Sequence, residues 1–426
     1  MTNLKVRNDE IDVVIIGSGP AGLSAALAAA ETGASVVLFE RLRTYGLKLL
    51  ASGGSKCNIS NTLDKSAFME AFGREGRFMK PALDFAYHDW LFSFLKSQNV
   101  PLKCEDSFHY FPRSERARDI LNAFSNAFTA LGGIMKNETA VQHIAVNDEN
   151  KLSVILNDGT VTECKSAVLA GGGTAWGKLG GSRHGLNLAA ELGHTLSPLY
   201  PAMAPLLIRE PWVRNLTGIS LPDAELSFRR GRQTFRNRGE LLFTHDGLSG
   251  PCAIDLAGDL AETCAKNASD VELIFHPDAS KNFAAWQKEI ESWKKHEGRK
   301  QLRTVLGWQF PRALAEALCT AAKCGDEKLC GLSSAVRDRL AVVLSGVSLT
   351  ACGSGPIDRA MAMKGGIKLK EINPHTLESR LISGLYFAGE IMDLTGPCGG
   401  YNIQWALSSG RLAGFSAANA TKKIQK

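Results

Sequence analysis

Three positions along the chain carry side chains able to take part in proton or redox chemistry. Cys57 ends the glycine-rich run Ser52-Gly-Gly-Ser-Lys-Cys-Asn58. Cys398 stands between Pro397 and Gly399, just before Gly400 and Tyr401. His245 sits inside Gly239-Glu-Leu-Leu-Phe-Thr-His-Asp-Gly-Leu-Ser-Gly-Pro251. A thiol can protonate a substrate carbon, exchange with a disulfide, or pack as a small apolar group. Packing is the plainer reading for Cys57; Cys398 reads as a proton donor, a redox thiol or a loop residue. An imidazole can serve as general acid near neutral pH or bond the backbone of a turn, and both readings stand for His245. Asp246, before Gly247, reads as turn chemistry.

These residues need elements to position them, and the first element is the clearest. Residues 12–16 form a continuous β-branched run, as a buried parallel strand does. Gly17, Ser18, Gly19, Pro20, Ala21 and Gly22 follow at once, then an Ala-rich helix over 23–32 closed by Gly33. A second strand over 35–39 ends at Glu40, 21 residues after Gly19. This is the strand, glycine turn, helix, strand and acid order of a dinucleotide site. Gly17 permits the tight turn, Gly19 lets the backbone reach a pyrophosphate, and Gly22 packs helix on strand. The pyrophosphate would rest on the helix N-terminus. Glu40 would accept from a ribose diol, with Arg41 beside it among the cofactor contacts.

Two later segments favour FAD over a nicotinamide as the resident group. A strand over 166–169 runs into Ala170, Gly171 and Gly172, and a strand over 385–387 runs into Gly389 and Glu390, with Asp393 beyond. That pairing has the form of two-dinucleotide-type flavoproteins. No second GxGxxG follows a strand, and no covalent attachment motif stands out, so the FAD is expected to be non-covalent.

Composition sets the bounds. The 426 residues include 44% hydrophobic and 22% charged, which excludes a disordered or collagen-like chain. A formal charge of +6 permits a polyanionic partner without requiring one. The 10 cysteines contain no CxxC pair, so no metal site is expected and a reducing, cytoplasmic compartment is. The one apolar stretch, over 13–30, is broken by its glycines and Pro20, so no membrane segment is expected.

Along the chain, helices are expected over 81–97, 115–131 and 187–192, and strands over 134–144 and 152–156 with a hairpin turn at 157–160. Residues 198–264 alternate apolar and polar and read as antiparallel β. Residues 282–345 read as helices, with Trp286, Ile290 and Trp293 at helical spacing. Strands return over 347–352 and 366–369, and a helix over 401–413 closes the chain. The fold class is therefore α/β: a split Rossmann-like FAD-binding domain (1–196 and 366–426), an inserted antiparallel β-domain (197–278 and 346–365) and a helical subdomain (279–345).

With these segments in place, the chain resembles the bacterial BaiN/RdsA (YhiN-like) family of FAD-dependent oxidoreductases over nearly its whole length. The marks are the 52–58 run, the 239–251 run, and Gly384-Leu-Tyr-Phe-Ala-Gly-Glu390 through Gly399-Gly-Tyr-Asn-Ile-Gln-Trp-Ala406. The resemblance implies flavin contacts from the 48–58 loop, including Lys48, Ser52, Gly53, Gly54, Cys57 and Asn58. It implies backbone contact to adenine from Val141. It places Gly400, Tyr401, Asn402, Ile403 and Gln404 at the pyrimidine end of the flavin, where a helix N-terminus would stabilise an anionic reduced ring. Cys398 would then face the flavin. The chain departs from the family at Leu47, Ser55, Lys56 and Pro397-Cys398, which marks a divergent subfamily.

The activities attached to the family are reductions of conjugated C=C bonds, in a steroid enone and in ribosomal RNA uracil. The expectation is an NAD(P)H-driven FAD enzyme, with NAD(P)H bound transiently, acting on RNA uracil or on a small enone or quinone. Two alternatives stand: a thiol-redox flavoprotein using Cys57 or Cys398, and a non-catalytic flavin-dependent RNA-binding factor. Arg229, Arg230, Arg232, Arg236 and Arg238, and a second group at Lys294, Lys295, Arg299, Lys300 and Arg303, read either as solvated faces or as contacts to an RNA backbone.

Overall fold

The computed structural model describes residues 11–147 and 151–424. They fall into two compact units, residues 11–199 with 362–424 and residues 200–361.

The first unit is built on a seven-stranded sheet. Its strands are β1 (Ile11–Ile16), β2 (Val36–Phe39), β3 (Ile134–Lys136), β4 (Val141–Val146), β5 (Leu152–Leu156) and β6 (Val161–Leu169), with a late strand Leu385–Phe387. The order is β3-β2-β1-β6-β5-β4, and the late strand pairs in parallel with the end of β6. β1 lies between β2 and β6, parallel to both, and Val13, Val14 and Ile15 are fully buried. That burial on both faces is why the run carries no polar alternation. Helix α1 (Pro20–Glu31) packs against the closing helix Tyr401–Ile424, where Ser24 Oγ donates to the Leu407 carbonyl at 2.7 Å.

The second unit holds a closed antiparallel barrel of β7 (Leu206–Ile208), β8 (Ser220–Arg230), β9 (Gln233–Phe243), β10 (Gly247–Ser249), β11 (Val271–His276) and β12 (Val347–Ser354), in the order β7-β10-β9-β8-β11-β12. Leu226 and Phe228 on β8, and Leu273 and Phe275 on β11, alternate into its interior. Its helices include Phe283–Glu297, Arg312–Ala321 and Ser334–Ser345, and Trp286, Ile290 and Trp293 form one buried stripe.

Five expected elements differ. The run 134–144 is two strands, because the chain turns at Glu138 (φ 53°) and Thr139 N–H bonds the Glu40 carbonyl at 2.9 Å. The 81–97 helix breaks where Ala86 is extended (φ −151°), giving Lys80–Phe85 and His88–Ser97. Beyond β10 the expected β pattern gives way to helices Pro251–Ile254 and Ala257–Asn267, the first opened by Pro251 at its N-terminal position. Residues 366–369 form no ladder; Ile367 makes only isolated bridges to Leu196 and Met392. The closing helix runs on to Ile424 rather than stopping at 413. Among the described residues no helix is long and apolar enough to cross a membrane.

Candidate active site

The turn after β1 is shaped by backbone contacts. A methyl group placed on Gly22 would lie 1.8 Å from the Gly17 carbonyl oxygen, so α1 starts in direct contact with the turn. Gly19 is the opposite case: a methyl group there would meet no atom within 4 Å. No side chain caps the N-terminus of α1. The turn is thus closed toward the protein at Gly22 and open at Gly19, which is the shape a bound pyrophosphate needs.

Glu40 is already engaged. Its Oε2 accepts from Ser18 N at 3.0 Å and Ser18 Oγ at 2.5 Å, and its Oε1 accepts from Leu42 N at 2.9 Å. A carboxylate has about four acceptor sites, so about one remains for a hydroxyl donor. Arg41 instead reaches the Gly180 carbonyl at 2.6 Å. The Val141 carbonyl accepts from His184 Nε2 at 2.5 Å.

A second group joins segments far apart in sequence. Lys48 Nζ pairs with Glu390 Oε2 at 2.7 Å. The same carboxylate accepts from Gly173 N at 3.3 Å and from Met363 N at 3.0 Å. A methyl group on Gly172 would stand 3.6 Å from Glu390 Oε2. Lys48, the glycines after β6 and Glu390 therefore meet. Gly171 approaches Gly185, Ala170 N–H bonds the Ile16 carbonyl at 2.9 Å, and Asp393 N–H bonds the Ile367 carbonyl at 3.0 Å.

The 52–58 loop exposes Gly53 and Gly54 and buries Cys57 completely. Cys57 N–H donates to the Ser52 carbonyl at 3.0 Å, and burial pushes the thiol up to about 12. A thiol so held stays neutral at physiological pH, which disfavours thiolate chemistry. Next to it, the Asn58 Oδ1 is buried with no hydrogen-bond partner. The Gln404 Oε1 in the closing helix is likewise buried and unpartnered, while Gln404 Nε2 donates to Ser408 Oγ at 3.0 Å. Two orphaned acceptors, one on each segment assigned to the flavin, fit a polar ligand with N–H or O–H donors.

The 396–400 loop is stapled from two sides. Asn402 Oδ1 accepts from Gly396 N at 2.8 Å and its Nδ2 donates to the Gly396 carbonyl at 2.9 Å. Asn61 Nδ2 donates to the Gly399 carbonyl at 2.9 Å. The Tyr401 ring packs at 5.2 Å on Phe68, Ile403 is half-buried, and Cys398 lies half-buried within the loop. Sequence reasoning missed Asn61, Ser60 and Met363 N. The strand Ser60–Asn61 pairs with His109–Pro112, and no local periodicity announces that pairing.

His245 belongs to the second unit, exposed in the turn between β9 and β10. That turn is closed by Thr244 N–H to the Gly247 carbonyl at 2.8 Å and by Asp246, whose carbonyl accepts from Ile208 N–H at 3.0 Å. Three of the five hairpin arginines are paired with carboxylates. Arg230 pairs with Glu262 at 2.8 Å, Arg236 with Glu225 at 3.3 Å, and Arg238 with Asp223 at 2.6 Å. In the helical part Lys300 pairs with Glu297 at 2.7 Å and Arg303 with Asp326 at 3.0 Å.

Residues 11–416 match the family described as HI0933-like protein Rossmann domain. The chain is 30% identical over 400 residues to the ribosomal RNA dihydrouridine synthase of Haemophilus influenzae, covering 93% of this chain and 96% of that protein. It is 31% identical over 413 residues to the 3-dehydro-bile acid delta(4,6)-reductase of Clostridium scindens, covering 95% and 98%. Among solved structures, the open conformation of a flavocytochrome c3 fumarate reductase shares the fold with a TM-score of 0.52 at 17% identity, covering 97% of this chain and 79% of that one.

Proposed function

The chain belongs to the HI0933-like Rossmann family and is an oxidoreductase; from that premise we propose that it binds FAD without a covalent link and reduces a C=C bond polarised by a neighbouring carbonyl. The observation that supports this most is that relatives matched almost end to end are named for the same bond change on different molecules. Forming dihydrouridine and reducing a bile-acid Δ4,6 system both saturate a C=C bond conjugated to a carbonyl.

The residues divide the work as follows. Gly17, Ser18, Gly19, Pro20, Ala21 and Gly22, with Glu40 and Arg41, hold the dinucleotide end, and Val141 lies at the adenine. The Lys48–Glu390 pair, with Gly171, Gly172, Gly389 and Asp393, fixes the middle. Ser52, Gly53, Gly54, Cys57 and Asn58, with Gly400, Tyr401, Asn402, Ile403 and Gln404, enclose the ring. Asn58 Oδ1 and Gln404 Oε1 accept hydrogen bonds there. The bound flavin would supply a hydride equivalent, taken from transiently bound NAD(P)H. The chain orients the alkene, excludes water and supplies a proton. The cofactor residues sit in a domain formed by 1–196 and 366–426, and 197–278 with 346–365 and 279–345 form the inserted parts.

Ribosomal RNA uracil is the first substrate and a small enone or quinone the second; for the first the protein works in the cytoplasm. Mass spectrometry of dihydrouridine in ribosomal and transfer RNA, with and without this gene, tests the choice. Loss of one dihydrouridine on deletion assigns an RNA substrate. Unchanged levels assign a small molecule.

A further inference from the structure

The reduction proposed above needs a proton for the carbon next to the carbonyl. Cys398 lies half-buried within the 396–400 loop, and Cys57 is fully buried with its thiol pushed up to about 12, a weak acid. An imidazole is the better matched donor near neutral pH, and one outside every motif borders that loop. His109 opens the strand His109–Pro112. A methyl group on Gly399 would lie 3.3 Å from His109 Nε2, so the ring edge abuts the backbone of the 396–400 loop. Two residues on, along the same strand face, Phe111 approaches the other flavin loop: a methyl group on Gly53 would lie 3.1 Å from its ring. The two rings are 6.4 Å apart. One strand face therefore borders both segments assigned to the flavin.

The far side of the imidazole is fixed. Nδ1 lies 2.5 Å from Asp106 Oδ2. Asp106 Oδ1 accepts from His109 N at 2.8 Å and Phe108 N at 3.1 Å. These bonds, the His109 backbone N–H first and its ring second, pull the Asp106 carboxyl down to about 2. A carboxylate on Nδ1 sets the ring orientation and leaves Nε2 as the reactive nitrogen. The ring is 30% exposed, open to substrate and to solvent protons.

We propose that His109, oriented by Asp106, protonates the substrate carbon next to the carbonyl during reduction; the proposal rests on the alkene-reductase reading. As the far alkene carbon accepts the hydride equivalent, the π pair forms a new C–H bond with the Nε2 proton. The Nε2–H bond breaks, the imidazolium becomes neutral imidazole, and water restores its proton. His109 is the proton donor and Asp106 a positioning residue.

The test uses the FAD-loaded protein and two readouts. The first compares anaerobic reoxidation of reduced protein by 2-cyclohexen-1-one, which needs a proton, and by ferricyanide, which takes electrons alone. The ratio of the two rates should fall about 10²-fold in His109→Gln and less in Asp106→Asn. A ratio unchanged in His109→Gln overturns the proposal. The second follows the histidine ring signals by 1H–15N NMR, assigning His109 by its loss in His109→Gln. The His109 signal should move when FAD is added to cofactor-free protein and again on reduction. An unmoved signal overturns the placement whatever the alkene does. A moving signal in a wild-type protein that reduces neither 2-cyclohexen-1-one nor unmodified ribosomal RNA supports the placement and counts against the alkene-reductase reading alone.

Discussion

The glycine turn after β1 and the arginine hairpin of β8 and β9 stand out equally as clusters in the sequence, yet they fare differently in three dimensions. At the turn, the open face of Gly19 and the closed face of Gly22 are both set by backbone, and nothing later in the chain can cancel them. In the hairpin, three of the five arginines meet carboxylates, two on the same hairpin and one on helix Ala257–Asn267. A charge run is a surface property that neighbours can neutralise. A glycine pattern is a statement about backbone path, and it survives folding intact.

The comparison is sharpest at the glycines, where the largest effects are expected. Gly22→Ala drives a methyl group into the Gly17 carbonyl and should cost about 1–3 kcal/mol or more, seen as a lowered Tm even without cofactor. Gly19→Ala meets empty space and should leave the cofactor-free Tm near wild type while weakening FAD binding, read by fluorescence titration. Equal behaviour of the two variants would break the distinction between a closed and an open position.

Next in size is the ion pair that joins the two cofactor segments. Glu390→Gln leaves Lys48 half-buried without its charge partner and should cost about 1–2 kcal/mol in denaturant unfolding. Adding Lys48→Met should recover part of that loss, and the double-mutant cycle isolates the pair.

A pH effect follows from His88. Its Nε2 lies 3.0 Å from Ser60 Oγ, and burial lowers the ring from 6.5 to about 4. The unfolded chain therefore binds the proton more readily between those values. The stabilisation is complete above pH 6.5 and is lost as pH falls toward about 4. Tm should drop across that window, and His88→Gln should flatten the slope.

The smallest effects belong to the hairpin. Arg238→Ala, removing an exposed pair with Asp223 that solvent screens, should leave the Tm close to wild type. If the hairpin meets RNA, Arg229 and Arg232 should carry the contact. Their joint replacement by Ala should lower the salt slope of RNA binding by about 2, and replacing Arg236 and Arg238 should lower it less.

Legibility in the sequence follows the same line. β1, α1, β2 and Glu40 could be read because a buried strand, a glycine turn and a helix are local facts within thirty residues. The ion pair of Lys48 with Glu390 was not legible, since 342 residues separate them; each was singled out on its own segment and nothing in either segment joins the two. Asn61 and His109 were not legible, because each gains its place from pairing between Ser60–Asn61 and His109–Pro112. The helix over Ala257–Asn267 departs from the β pattern expected to run through 264, because tertiary packing buries Ala257, Gly258, Leu260 and Thr263 on one helical face.

The central claim, a flavin held at the open glycine turn for alkene reduction, is tested most directly by one anaerobic experiment on the purified protein. The flavin is released by denaturation and counted, and a second sample is reduced and mixed with 2-cyclohexen-1-one and, separately, with unmodified ribosomal RNA. The account predicts one releasable FAD per chain and return of the oxidised spectrum with an equal amount of saturated product from at least one of the two. A chain that binds no flavin, or whose reduced flavin is reoxidised only by oxygen, would contradict it.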